Sequence, residues 1–159
     1  SKFKHIYACS FLYNVDGVAE WPAVAVDFTA KTQFLFMINK GIVKISENRK
    51  VNEYKPEDER PIPFKHMIYF GDGETDVPCM RMVKQSGGNS IAVYRPRNKQ
   101  KKELAKKLIH EGRVNFACSA DYSDGGEIYK IVEAILSQIK SNFDFMQLES
   151  QNHSKMTKE

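Results

Sequence analysis

The stretch IYFGDGETDVPCM, residues 68–80, sets Asp72, Glu74 and Asp76 within five positions immediately after an apolar run. Two carboxylates about 4 Å apart repel by roughly 4 kcal/mol at an effective dielectric near 20. Such a cluster at the end of a buried segment holds a cation, or one of its members keeps a proton. The spacing D-x-E-x-D has the start of an EF-hand loop, but Val77 occupies the sixth position, where that loop needs Gly. Val83 occupies the twelfth, where it needs Glu. An apolar strand rather than a helix precedes the cluster, so a calcium-binding helix–loop–helix unit is excluded. The remaining structural alternative is that Asp76 caps a helix while the other two acids are solvated.

The elements around the cluster say where it must lie. HMIYFGDG reads as a strand, DVPCMRMVKQSGG as a helix stopped by paired glycines, and NSIAVYRP as the next strand. Residues 99–112 form a helix with apolar Leu104, Leu108 and Ile109 on one face, VNFACSADY a strand, and GEIYKIVEAILSQIKSNF a last helix. In that helix Ile128, Ile131, Ile135 and Ile139 stand at helical spacing. Upstream, HIYACSFLY (5–13) reads as a strand, NVDG as a turn and VAEWPAVAVDF as a returning strand. Thr29 is the expected N-cap of a helix from about Lys31 to Asn39 that Gly41 closes. Residues 46–63 read as an exposed loop, and the chain from Gln151 as a frayed tail on a domain spanning 1–150. Alternation of strands and helices implies an α/β fold with a parallel sheet covered by helices on both faces. Ligands in such sheets bind at the carboxyl ends of the strands, where Asp72, Glu74 and Asp76 fall.

Length and composition fit one soluble domain: 159 residues, 42% hydrophobic and 28% charged. Much of the net charge of +4 comes from RPRNKQKKELAKK (95–107). No aromatic residue interleaves with it, so it reads as a solvated helix face rather than a nucleic-acid surface. Cys9, Cys79 and Cys118 are far apart and lack CxxC spacing, as expected of buried thiols in a reducing cytoplasm. No apolar run reaches membrane-spanning length. Trp21, in AEWP, is a candidate for packing or for a substrate rim.

GDGETD after an apolar strand and before VP and a helix resembles motif IV of the haloacid dehalogenase-like (HAD) phosphohydrolases, with Asp72 and Asp76 at its paired acidic positions. Lys31, in FTAKTQFLFMINKG, is similar to the motif III lysine of that family. SGGNSIAVYRP and FACSADYSDGGEIYKIVEAIL resemble its closing elements in the phosphoserine-phosphatase-like bacterial branch, so the likeness runs over about residues 3–140. The resemblance implies part of a Rossmann-like three-layer α/β/α sandwich and a small phosphorylated substrate. It also implies attack by an aspartate to give an aspartyl-phosphate that water hydrolyses. Mg²⁺ would be held by Asp72 and Asp76, directly or through water, while Lys31 offsets the charge of the nucleophile and phosphate. Glu74 has no role in that pattern and is expected to face solvent.

The nucleophile of the family belongs to motif I, DxDxT, and this sequence has none; two residues before Asp16 stands Asn14. Ser10 is a poor match for the Ser or Thr of motif II. The expectation is therefore the C-terminal part of a HAD-like phosphatase, inactive alone, with a non-catalytic α/β metal-binding or regulatory module as the alternative. Without the motif I strand, residues 65–71 would form an unpaired apolar edge. Such an edge would take up the missing half or self-associate.

Overall fold

The computed structural model describes residues 3–157. Ser10–Tyr13 (β1) and Ala19–Val24 (β2) pair antiparallel around the NVDG turn and form a sheet of their own. Asn14 makes that turn: its side-chain oxygen accepts from the amides of Asp16 and Val18. The strand expected over 5–13 is shorter, because β2 offers partners only back to Ser10. Trp21 lies on this hairpin and is 68% exposed, so it packs no core.

Phe28–Lys40 (α1) begins one turn earlier than expected, and its cap is Asp27 rather than Thr29. The Asp27 carboxylate accepts from the amides of Thr29 and Ala30 and from the Thr29 hydroxyl, satisfying donors that the first turn leaves open. Gly41 ends the helix in the left-handed conformation, φ 74°, which a side chain would disfavour. Ile45–Asn52 winds into 3₁₀ turns within the predicted loop.

From Ile68 onward the chain alternates as predicted. Ile68–Gly71 (β3), Asn89–Tyr94 (β4) and Phe116–Ser119 (β5) form a parallel sheet in the order β3–β4–β5. Val77–Gln85 (α2) and Lys99–His110 (α3) make the two crossovers, and Glu127–Met156 (α4) closes the chain. Side-chain alternation along β4 separates the two faces. Ala92 meets Met80 of α2 and Ala105 and Leu108 of α3, whereas Ile91 and Val93 meet Ile128 and Ile135 of α4. The fold is thus mixed α/β, with helices on both faces of a three-stranded parallel sheet. A third apolar cluster joins Leu35 of α1 to Cys79 and Val83 of α2 and so holds α1 against α2. Burying a side chain such as Ile135 contributes roughly 1.5–3 kcal/mol.

Three expectations need correction. Cys79 and Cys118 are buried, but Cys9 is exposed, its sulfur accepting from the Val26 amide. Ile109 lies on the outside of α3, because a helical period places it beside Leu108 rather than beneath it. The expected frayed tail from Gln151 is helical through Met156, since neither Gly nor Pro interrupts the sequence after Glu127. Among the described residues, no helix is long and apolar enough to cross a membrane.

One consequence of the strand order bears on function. Among the described residues, strand β3 has β4 on one side and no partner on the other, so the strand leading into GDGETD lies at an open edge. Phe70 there is 38% exposed.

Candidate active site

The site is built by a tight return of the chain at the carboxyl end of β3. Gly71 closes the strand, Asp72 and Gly73 turn, and Glu74–Asp76 form a 3₁₀ turn that runs straight into α2. Pro78 suits the first turn of that helix, where no intrahelical partner awaits its missing amide hydrogen. Gly71 is required by contact. A Cβ at that position would stand 2.6 Å from Asp76 Cβ and 3.0 Å from Met80 Sδ. The bare backbone lets Asp76 fold back over the strand end.

Asp76 is buried, 7% exposed, and all its visible partners are donors. Oδ1 accepts from Lys31 Nζ at 2.8 Å and from the Tyr69 hydroxyl at 2.9 Å, and Oδ2 accepts from the Asp72 amide at 3.3 Å. Burial pushes its carboxyl toward the protonated form. The Lys31 and Tyr69 hydrogen bonds, with the lysine's charge, outweigh that and leave Asp76 below the usual aspartate range. Tyr69 moves the other way. Its burial, and its hydrogen bond to an already ionised Asp76, push its hydroxyl far above the usual tyrosine value, so it stays protonated and donates to Asp76.

Lys31 lies in the first turn of α1 and reaches across to α2's entry, with Thr75 Oγ1 at 3.5 Å as a second neighbour. The structure therefore brings Lys31, Asp72 and Asp76 to one strand end. The two carboxylates differ in their surroundings: Asp72 is exposed, but Asp76 is buried and neutralised by Lys31. The physical reason is that a carboxylate held against Gly71 must be compensated, and the nearest cation is the ammonium of Lys31. Glu74 is exposed, as expected.

Two contributors escaped the sequence reading. Tyr69 is two residues before Gly71 and so shares its face of β3, directly beneath Asp76; strand parity alone contained that signal. Lys101 belonged to the presumed solvated lysine face, yet its ammonium donates to the Asp72 carbonyl at 2.6 Å. It does so because α3, capped by Asn98, starts at the same end of the sheet. A crevice of about 360 Å³ opens there, lined by Asp72, Tyr94, Arg95, Asn98, Lys101 and Tyr122 among others.

As a cation site the arrangement is partial. Among the described residues, no group of three or more His, Cys, Asp or Glu side chains converges to hold a metal. The exposed Asp72 carboxylate suits Mg²⁺, which takes one or two carboxylates and fills its remaining positions with water and phosphate oxygens. Both donors on Asp76 Oδ1 leave only Oδ2 to contribute, through water.

No protein-family model matches the chain, and no solved structure matches it. The chain is 38% identical over 114 residues to an uncharacterized protein of Borreliella burgdorferi. The match covers 69% of this chain and 37% of that protein, so the chain spans little more than a third of the length of that relative.

Proposed function

We propose that the chain is the C-terminal part of a Mg²⁺-dependent HAD-like phosphomonoester hydrolase, in which Lys31, Asp72 and Asp76 serve a nucleophile supplied by another segment. The observation that carries this reading is the ion pair between Lys31 and Asp76. Two residues 45 positions apart meet at 2.8 Å. They do so at the carboxyl end of a parallel strand, where the fold class keeps its reactive groups. In this reading the Asp72 carboxylate holds the metal directly and Asp76 acts through water. Magnesium when bound lowers repulsion between the phosphate and an attacking carboxylate. Lys31, held by Asp76, presents its remaining donors to the transferring phosphoryl group. The finer Rossmann-like sandwich belongs to the same proposal, and the open edge of β3 is where its missing strand would pair. The greater length of the Borreliella burgdorferi protein is in keeping with a larger whole.

A second reading is a non-catalytic α/β metal-binding or regulatory module, in which Lys31 only holds Asp76 in place and the exposed Asp72 carboxylate alone meets a ligand. The two separate by reconstitution. A segment carrying a DxDxT strand, co-expressed with this chain, confers Mg²⁺-dependent phosphatase activity on the first reading and none on the second.

A further inference from the structure

We propose that α4 carries the interface of an antiparallel, two-fold symmetric dimer of this chain. Ile128 and Ile135 supply the buried face of the helix. Beside them runs a second apolar stripe that the sheet does not use up. Tyr129, Val132, Leu136, Ile139, Phe143 and Met146 follow one another at intervals of three, four, three, four and three. That is the spacing with which one helix packs its side chains into the gaps of another. Tyr129, Leu136, Phe143 and Met146 are between 46% and 55% exposed, while Val132 and Ile139 are shared with the core. The stripe borders an apolar groove of about 650 Å³ whose far wall includes Phe70 and Tyr122. A soluble chain rarely leaves such a continuous surface uncovered.

The identity of the occupant follows from the symmetry of the stripe. In an antiparallel pair, each first-position residue of one helix sits against a fourth-position residue of the other. About a two-fold axis midway between Leu136 and Ile139, Leu136 meets Ile139 of the second copy, Val132 meets Phe143, and Tyr129 meets Met146. Every member of the stripe then has an apolar partner. The charges agree. Glu133 and Lys140 flank the stripe on the same side, and neither has an ion-pair partner among the described residues. The same axis sets Glu133 of each copy beside Lys140 of the other. A parallel pairing would set both against isoleucines, Ile128 and Ile135, and leave the charges uncompensated. The stripe and its flanking charges are thus complementary to themselves in one orientation.

Sedimentation equilibrium of this chain tests the proposal without reference to any activity. The expected species is a dimer. Leu136→Glu, at a position exposed in the single chain, weakens it more than tenfold while far-UV circular dichroism is unchanged. Glu133→Lys turns two attractive pairs into two repulsive ones and weakens the dimer on the order of tenfold. Adding Lys140→Glu restores it. A monomer, or association indifferent to Leu136→Glu and Glu133→Lys, as pairing through the β3 edge would be, overturns the proposal. Failure of the double charge exchange to restore association overturns its antiparallel orientation.

Discussion

A carboxylate that accepts at once from Lys31, Tyr69 and the Asp72 amide holds these partners most strongly while it is ionised, which makes Asp76 an acid-sensitive residue of the site. Its folded-state pKa is depressed. The stability it contributes is therefore fully present above the ordinary aspartate range and is lost as pH falls through the folded value. Urea titrations across the acid range should show part of the decline in wild-type stability missing from Asp76→Asn. An acid limb of equal steepness in the variant would contradict the ionised assignment. Tyr69→Phe removes one hydrogen bond to a charged acceptor and should cost about 2 kcal/mol in the same assay. It should also raise the Asp76 pKa, which carboxyl-carbon NMR reads directly. For Lys31, the proposed role requires that Lys31→Ala, in the chain reconstituted with a DxDxT segment, lower kcat by on the order of 10²-fold; unchanged turnover would remove it from the chemistry. The motif pattern made Lys31, Asp72 and Asp76 legible in the sequence. The ionisation of Asp76 and its pairing with Lys31 were not, because those depend on Gly71 letting Asp76 fold back into burial, a contact that charge spacing alone does not encode.

Among the elements, those with strong periodicity and clear stops could be read directly: α2 up to its paired glycines, β4 after them, and the isoleucine face of α4. The less legible ones depended on partners. Residues 5–9 have strand composition but, among the described residues, no strand beside them, and α3's first turn looked solvated until the sheet end put Asp72 against Lys101. The turn between β3 and α2 makes the sharpest prediction at this scale. Gly71→Ala would drive a methyl group into Asp76 and Met80, and overpacking of this kind costs about 1–3 kcal/mol. Urea denaturation should show that loss, together with a weakened Lys31–Asp76 pair. Stability within error of wild type would mean that the close approach of Asp76 to the strand end is not what requires glycine there.

For the whole molecule, the α/β class was legible from alternation, whereas the order β3–β4–β5, which leaves β3 at an edge, is a long-range outcome. The resemblance supplied a reason to expect that edge. Two features then point outward from the same molecule: the open edge of the strand leading into the acidic turn, and a helix of 30 residues, about 45 Å long, far longer than the four- to six-residue strands it covers. A partner that binds only the folded chain stabilises it by mass action, so the melting temperature should rise on addition of a segment that completes the sheet. The most direct test of the account is hydrolysis of p-nitrophenyl phosphate by the chain alone, by the chain with a co-expressed segment bearing a DxDxT strand, and by the same pair carrying Asp72→Asn. The chain alone should show no turnover, the pair Mg²⁺-dependent turnover, and the pair with Asp72→Asn none; robust turnover by the isolated chain that survives Asp72→Asn would overturn both the site and the need for a second segment.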